Sequence, residues 1–349
     1  MGISVSGSTL VDKGAVVLGP PPEYSPSLQN YPNADNEVKK MAAELWGKID
    51  GQKVKYEKYG DGIVIDGTNL KEALDLLKIK PDFAIQNNVP VLYIHRTTPD
   101  AEIYFITNQG DSKININPTF RVKNMQPELW DPITGNIRTL PAYTENVNGI
   151  SVPIKMEPSQ SWFVIFKKSE GSPVSDNITD NFPEAKEILK LNGPWNVKFD
   201  SGMRGPKGAV VFKNLEDWTK SNDKSIKYYS GSAVYSYDFN LKSMPKADKI
   251  LLDLGSVGVI AHVTLNGKDV GGVWTIPWSI DINKELKAGE NKLEITVTNT
   301  WVNRIIGDLR LPKSERKTWL TFNPYKPNSP LEESGLLGPV RISEVNYKK

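Results

Sequence analysis

The chain has 349 residues, 38% hydrophobic and 24% charged, with a formal net charge of +2. That length calls for two or three domains, and the near-neutral charge gives no electrostatic reason to expect nucleic acid or an acidic membrane surface as partner. Zero cysteines exclude disulfides, a reactive thiol and thiolate metal sites, and the two histidines, His95 and His262, lie too far apart in sequence to suggest a zinc site or a Ser-His-Asp triad.

No apolar run reaches the roughly 18 residues that a membrane-spanning helix needs. The first residues lack the basic start, apolar core and small-residue cleavage site of a secretory signal, so none is expected.

Residues 1–82 read as partial α/β material. Gly14 to Gly19 is a short apolar strand ended by three prolines, and Ile63 to Ile65 is a second. Asp35 to Trp46 places Val38, Met41, Ala42 and Leu45 on one helical face, with Asp35 as the expected N-cap and Gly47 at the C-cap. Asn69 to Leu77 predicts a second helix with Leu70, Ala73, Leu74 and Leu77 inward. Two strands and two helices make a poor complete domain, because a parallel sheet must be covered on both faces. The segment therefore reads as the tail of a doubly wound domain, and its glycines do not form a nucleotide-binding fingerprint.

Residues 83–168 turn to pure β and predict a small antiparallel sandwich. Val91 to Arg96, Glu102 to Asn108, Thr119 to Val122 and Ser161 to Phe166 alternate between turn signals such as Asp131 to Gly135. Glu128, Asp131 and Glu157 are expected as solvated carboxylates at turns. Residues 169–187 are expected as a linker, because most of them are polar and rich in serine, glycine and proline.

Residues 188–349 predict a second, larger antiparallel sandwich. Ala233, Tyr235 and Tyr237 fall on one face, Ile250 to Leu254 and His262 to Leu265 follow, and Asn266-Gly267 marks a two-residue hairpin turn. Gly289 to Asn291 reads as a turn before the alternating Leu293, Ile295 and Val297, and Gly335 to Ile342 as one closing strand. The fold class expected is thus mainly β: two antiparallel sandwiches preceded by a partial α/β segment.

Six of the nine tryptophans stand in this last domain. Aromatic rings stack on the apolar faces of sugar rings while neighbouring polar groups take the hydroxyls, so a shallow carbohydrate site needs both. Trp274, Trp278, Trp301, Asn303, Arg304, Asp308, Trp319 and Tyr325 are the candidate binding residues on that pattern. The opposite expectation, tryptophans as sandwich core, applies to most of them individually; Trp301 and Trp319 have the more polar surroundings.

Hydrolysis of a glycoside needs two facing carboxylates. Glu216, Asp217, Asp308, Glu315, Glu332 and Glu333 are available, but most neighbour a lysine or arginine as surface pairs do. No catalytic residue is assigned. No metal or other cofactor is expected, beyond a weak pattern of Asp253, Asp281 and Asn283 oxygens that a structural calcium ion would use.

The blocks RTTPDAEIYFITNQ, PELWDPITGNIR, YYSGSAVYSYDF, DLGSVGVIAHVTLNGKDVGGVWTIPW, NTWVNRIIGD and SGLLGPVRI resemble the C-terminal half of glycoside hydrolase family 106 proteins, bacterial α-L-rhamnosidases and their relatives. From about residue 190 onward the chain also resembles the galactose-binding-like jelly roll of family 2 glycosidases, and residues 10–82 resemble the end of an amidotransferase-like α/β domain. In that family an N-terminal (β/α)8 barrel carries the chemistry, and no position here matches its catalytic residues. The resemblance implies an accessory, non-catalytic portion of a polysaccharide-degrading glycosidase, periplasmic or extracellular. Its implied partners are rhamnose-containing or pectic glycans and the catalytic barrel. The alternative is a purely structural scaffold that binds no sugar.

Overall fold

The computed structural model describes residues 4–86, 88–168 and 180–347, so most of the expected linker lies outside the described residues. The chain divides into two compact units, Met1–Asp82 and Phe83–Lys349.

In the first unit, helices α1 (Ser4–Asp12), α2 (Asn33–Trp46) and α3 (Leu70–Leu76) accompany strands β1 (Val16–Leu18), β2 (Tyr56–Tyr59) and β3 (Gly62–Ile65). The sheet order is β1-β3-β2, with β1 parallel and β2 antiparallel to the central strand. Val11, Ala42, Leu45, Trp46 and Val64 form the core, and the Trp46 indole N–H donates to the Gly19 carbonyl at 2.8 Å. The expected face of α2 is therefore the one that packs. Asp35 is not its cap: it lies in the first turn, and its carboxylate accepts the Ser25 N–H at 2.9 Å. Asn69 caps α3 by accepting the Glu72 N–H at 3.0 Å, and this leaves Leu70, the first helical residue, exposed rather than inward. Neither α1 nor β2 was expected. The first is rich in serine and glycine, poor helix formers, and the second is a four-residue YEKY run with little apolar signal.

In the second unit the first sandwich comprises β4 (Phe83–Ala84), β5 (Val91–Thr97), β6 (Ala101–Asn108), β7 (Ile114–Ile116), β8 (Thr119–Phe120), β9 (Met125–Trp130), β10 (Ile137–Thr139), β11 (Thr144–Asn146), β12 (Gly149–Ser151), β13 (Ile154–Met156) and β14 (Ser161–Lys168). A five-stranded sheet, β10-β9-β14-β6-β5, accompanies a four-stranded sheet, β11-β12-β8-β4. Their inner residues, among them Tyr104, Ile106, Phe120, Leu129, Ile150, Val164 and Phe166, make one core. Asp131 behaves as expected of a turn carboxylate, accepting the Ile133 N–H (2.9 Å) and the Thr134 hydroxyl (2.7 Å). Glu128 does not. It stands inside β9 and accepts from Lys167 Nζ (2.8 Å) and from the Trp130 indole N–H (2.9 Å).

The second sandwich comprises β15 (Lys186–Leu191), β16 (Trp195–Phe199), β17 (Val210–Phe212), β18 (Ser232–Leu241), β19 (Lys249–Asp253), β20 (Val257–Gly258), β21 (Ile260–Leu265), β22 (Lys268–Val273), β23 (Ser279–Asp281), β24 (Gly289–Thr298), β25 (Gly335–Leu336) and β26 (Val340–Val345), with short helices α4 (Lys224–Lys227) and α5 (Val302–Leu309). Sheet β17-β16-β18-β24-β21-β22 and sheet β15-β26-β19-β23 share a core of alternating residues. Ala233 and Tyr235 of β18, Leu293, Ile295 and Val297 of β24, Ile250 and Leu252 of β19, and Ile342 of β26 are all buried. Each large aliphatic residue so buried contributes about 1.5–3 kcal/mol. Two expectations change. Gly289 already opens β24, and Gly335–Ile342 is split between two sheets, because Pro339 has no N–H to continue the β25 ladder.

The hairpin turn is where it was expected. Asn266 and Gly267 adopt φ of 55° and 77°, and Leu265 pairs with Lys268 across them. No atom lies within 4 Å of a Cβ added at Gly267, so Gly267→Ala would suffer backbone strain alone. It is expected to lower stability by about 1–2 kcal/mol, as measured by calorimetric unfolding.

Candidate functional site

The strand register brings two of the candidate tryptophans of the last sandwich, Trp274 and Trp301, to one end of its six-stranded sheet. Ala261 of β21 lies opposite both Val273 of β22 and Val297 of β24. The chain therefore leaves β22 toward Trp274 and leaves β24 toward Trp301 at the same end. Two strand spacings separate these exits, about 10 Å. Trp274 and Trp301 are 59% and 56% exposed. The irregular stretch after α5, residues 310–334, adds Trp319, 82% exposed, and Phe322, 81% exposed. Trp278 instead packs against the core, as do Trp195 and Trp218 in full, and Tyr325 is half-buried.

This end is built on polar groups that the sequence suggested for ligand contact and the structure uses as a frame. Asn303, Arg304 and Asp308 are buried. The Asn303 amide donates to the Glu332 carbonyl (2.7 Å) and the Ser334 hydroxyl (3.0 Å), and its oxygen accepts the Glu332 N–H (2.8 Å). One Asp308 oxygen, Oδ2, accepts from the N–H groups of Lys317 (2.8 Å) and Thr318 (2.9 Å) and from the Thr318 hydroxyl (3.0 Å). The other, Oδ1, lies 3.4 Å from both Arg204 Nη1 and Arg304 Nε. This buried carboxylate thus holds the start of the following stretch and two guanidiniums together. Burial opposes its charge. The Lys317 and Thr318 N–H groups, the Thr318 hydroxyl and the Arg304 guanidinium outweigh that and hold its pKa below the usual range. Burial likewise draws the Arg304 pKa below that of an ordinary arginine.

Two further groups that no local sequence pattern marks complete the frame. Ser334 accepts from Asn299 Nδ2 and Asn303 Nδ2, both at 3.0 Å, and its N–H donates to Asp217 at 3.1 Å. Its carbonyl accepts the Trp218 N–H at 2.9 Å. Gly307 lets α5 approach Tyr228 closely: a Cβ there would lie 2.6 Å from the Tyr228 Cβ. These partners lie tens of residues away in sequence, which is why a local reading takes NTWVNRIIGD for a ligand loop rather than a buried helix.

Two of the remaining carboxylates are held by neighbouring donors. Asp217 accepts from Thr219 and Ser334, and Glu332 accepts the Thr300 hydroxyl at 2.5 Å. The oxygens considered for calcium serve local turns, Asp253 accepting the Gly255 N–H (2.9 Å) and Asp281 the Asn283 N–H (3.0 Å). Among the described residues no group of three or more His, Asp or Glu is placed to hold a metal ion. Lys317, Thr321 and Asn323 are exposed beside Trp319 and Phe322.

Residues 6–145 match the alpha-L-rhamnosidase family, and residues 213–318 match the glycosyl hydrolase 2 galactose-binding domain-like family. The chain is similar to a solved rhamnosidase from Novosphingobium sp. PP1Y, with 34% identity, a TM-score of 0.86, and coverage of 97% of this chain and 32% of that one. It is also similar to a putative beta-glucuronidase from Formosa agariphila, with 24% identity over 584 residues, 97% of this chain and 49% of the relative. The chain thus spans about a third of the length of the rhamnosidase and about half that of the putative beta-glucuronidase.

Proposed function

We propose that this rhamnosidase-like chain, with its galactose-binding-like sandwich, is a non-catalytic accessory portion of an α-L-rhamnosidase-type glycosidase. In this reading it contacts rhamnose-containing plant polysaccharide through the exposed aromatic residues at one end of the last sandwich. The observation that carries the reading is the contrast among the six tryptophans there: Trp274, Trp301 and Trp319 are exposed at one loop-bearing end, while Trp195 and Trp218 fill the core. Exposed indoles held on a rigid polar frame present flat apolar surfaces at little ordering cost, which suits the C–H face of a sugar ring. Lys317, Thr321 and Asn323 supply the hydroxyl partners in this reading, and Asn303, Arg304 and Asp308 act by holding the frame.

Calorimetric titration of the full chain with pectin-derived rhamno-oligosaccharides tests this. Trp301→Ala and Trp319→Ala are each expected to weaken binding about tenfold, equivalent to about 1.4 kcal/mol, with unchanged thermal unfolding. The chain alone is expected to release no rhamnose from a rhamnoside. Binding that survives both substitutions, or hydrolysis abolished by a carboxylate substitution in this chain, would refute the reading.

A further inference from the structure

The five-stranded sheet of the first sandwich has an outer face with a composition unlike that of a solvated sheet. Cross-strand register places Ile94 opposite Phe105, Phe105 opposite Phe163, Phe163 opposite Trp130, and Trp130 opposite Ile137. Their neighbours Tyr104, Val164 and Leu129 point into the core, so these five residues share the outward side. Every strand contributes one apolar residue to an uninterrupted rung. Ile94 and Ile137, at its two ends, are 53% and 57% exposed, and Leu92 beside them is 62% exposed. The Phe105 and Phe163 rings touch at 4.8 Å between centroids.

The rung reads nearly the same from either end: isoleucine, aromatic, Phe163, aromatic, isoleucine. From this we infer that the outer face is the contact surface of a two-fold dimer of this chain. A two-fold axis lying between two such sheets and running along β14 sets Phe163 against its copy. It sets Phe105 of one protomer against Trp130 of its partner, and Ile94 against Ile137 of the partner. This is the self-complementarity that an isologous interface requires. Strands of 7, 8, 8, 6 and 3 residues, about 4.8 Å apart and rising about 3.4 Å per residue, offer roughly 500 Å² per copy, or about 1,000 Å² in total, about the least that a specific interface buries. The charges beside the centre of the rung are neutralised within one protomer: Lys167 pairs with Glu128 at 2.8 Å and lies 5.0 Å over the Trp130 ring. No net charge there opposes the approach of a second copy.

The test is the solution mass of the full chain and of two surface variants, measured by light scattering at about 100 µM, enough to fill a micromolar interface. The wild type is expected at twice the 38.9 kDa chain mass. Ile94→Lys and Ile137→Glu, both at exposed positions, are each expected to be monomeric with unchanged circular dichroism. Mixed in equal amounts they are expected to return to the dimer mass. In the mixed dimer the introduced lysine faces the introduced glutamate in one end contact, and the other end contact keeps both isoleucines. A monomeric wild type would overturn the inference and leave the face to polypeptide of the kind the longer relatives carry. A dimer unaffected by either variant, or variants whose mixture stays monomeric, would overturn it as well.

Discussion

Replacing Asp308 with asparagine is expected to destabilise the last sandwich by about 3–5 kcal/mol, the range for removing one partner of a buried charged pair. The carboxylate stands between two guanidiniums and three further donors. An amide keeps the shape but loses the charge that Arg304 needs, and its NH2 group faces donors where acceptors are required. Calorimetry would read the loss as a lowered unfolding temperature. Limited proteolysis would read it as early cleavage within residues 310–334, whose start is tied down by this carboxylate. The pH dependence has a definite sign. The folded-state pKa of Asp308 is depressed, so its contribution is complete above the unfolded value of about 3.9 and is lost as pH falls through the lower folded value. The wild-type stability curve should drop in that acid window, and the Asp308→Asn curve should be flatter there. Equal steepness would remove Asp308 as the anchor.

Trp218→Ala is expected to have an effect of similar size, about 3–5 kcal/mol, from the loss of a large core ring and the cavity left behind. The ring packs against Phe199 and Tyr229, with centroids 5.2 and 5.5 Å away. Its indole N–H donates to the buried Tyr235 hydroxyl at 2.6 Å. That hydroxyl also accepts the Leu336 N–H at 3.2 Å, and burial raises its pKa. Removing the ring therefore loosens β18, β25 and the Ser334 hub together. Trp218→Phe, which keeps a six-membered ring but loses the indole donor and part of the ring volume, should cost less, about 1–2 kcal/mol. If both substitutions cost the same small amount under urea or heat, the ring is not part of the cooperative core.

These two residues also show what a sequence reveals and what it hides. Asn266-Gly267 was legible because a type I′ turn is decided by two adjacent residues whose backbones tolerate positive φ. Leu293, Ile295 and Val297 were legible because alternation over one strand suffices to assign a face. Asn303, Arg304 and Asp308 were legible as a polar cluster after a strand, but not as a buried frame. Their partners are Glu332, Ser334, Ser230, Lys317 and Thr318, brought in by tertiary folding. The tryptophans separate on similar grounds. Trp195 alternates with Val197 and Phe199 in β16 and is core, whereas Trp319 lies in an irregular stretch and is exposed. The outer face of the five-stranded sheet stayed hidden because its rung is assembled from five separate strands.

Oxidative footprinting of tryptophan, mapped by mass spectrometry with and without rhamno-oligosaccharide, reads directly whether the exposed indoles meet sugar. Without glycan, Trp274, Trp301 and Trp319 should react quickly and Trp195 and Trp218 slowly, as their exposures require. With glycan, protection is expected only at the three exposed rings at the loop-bearing end. A footprint that does not change when glycan is added would contradict it and favour a scaffold that binds no sugar.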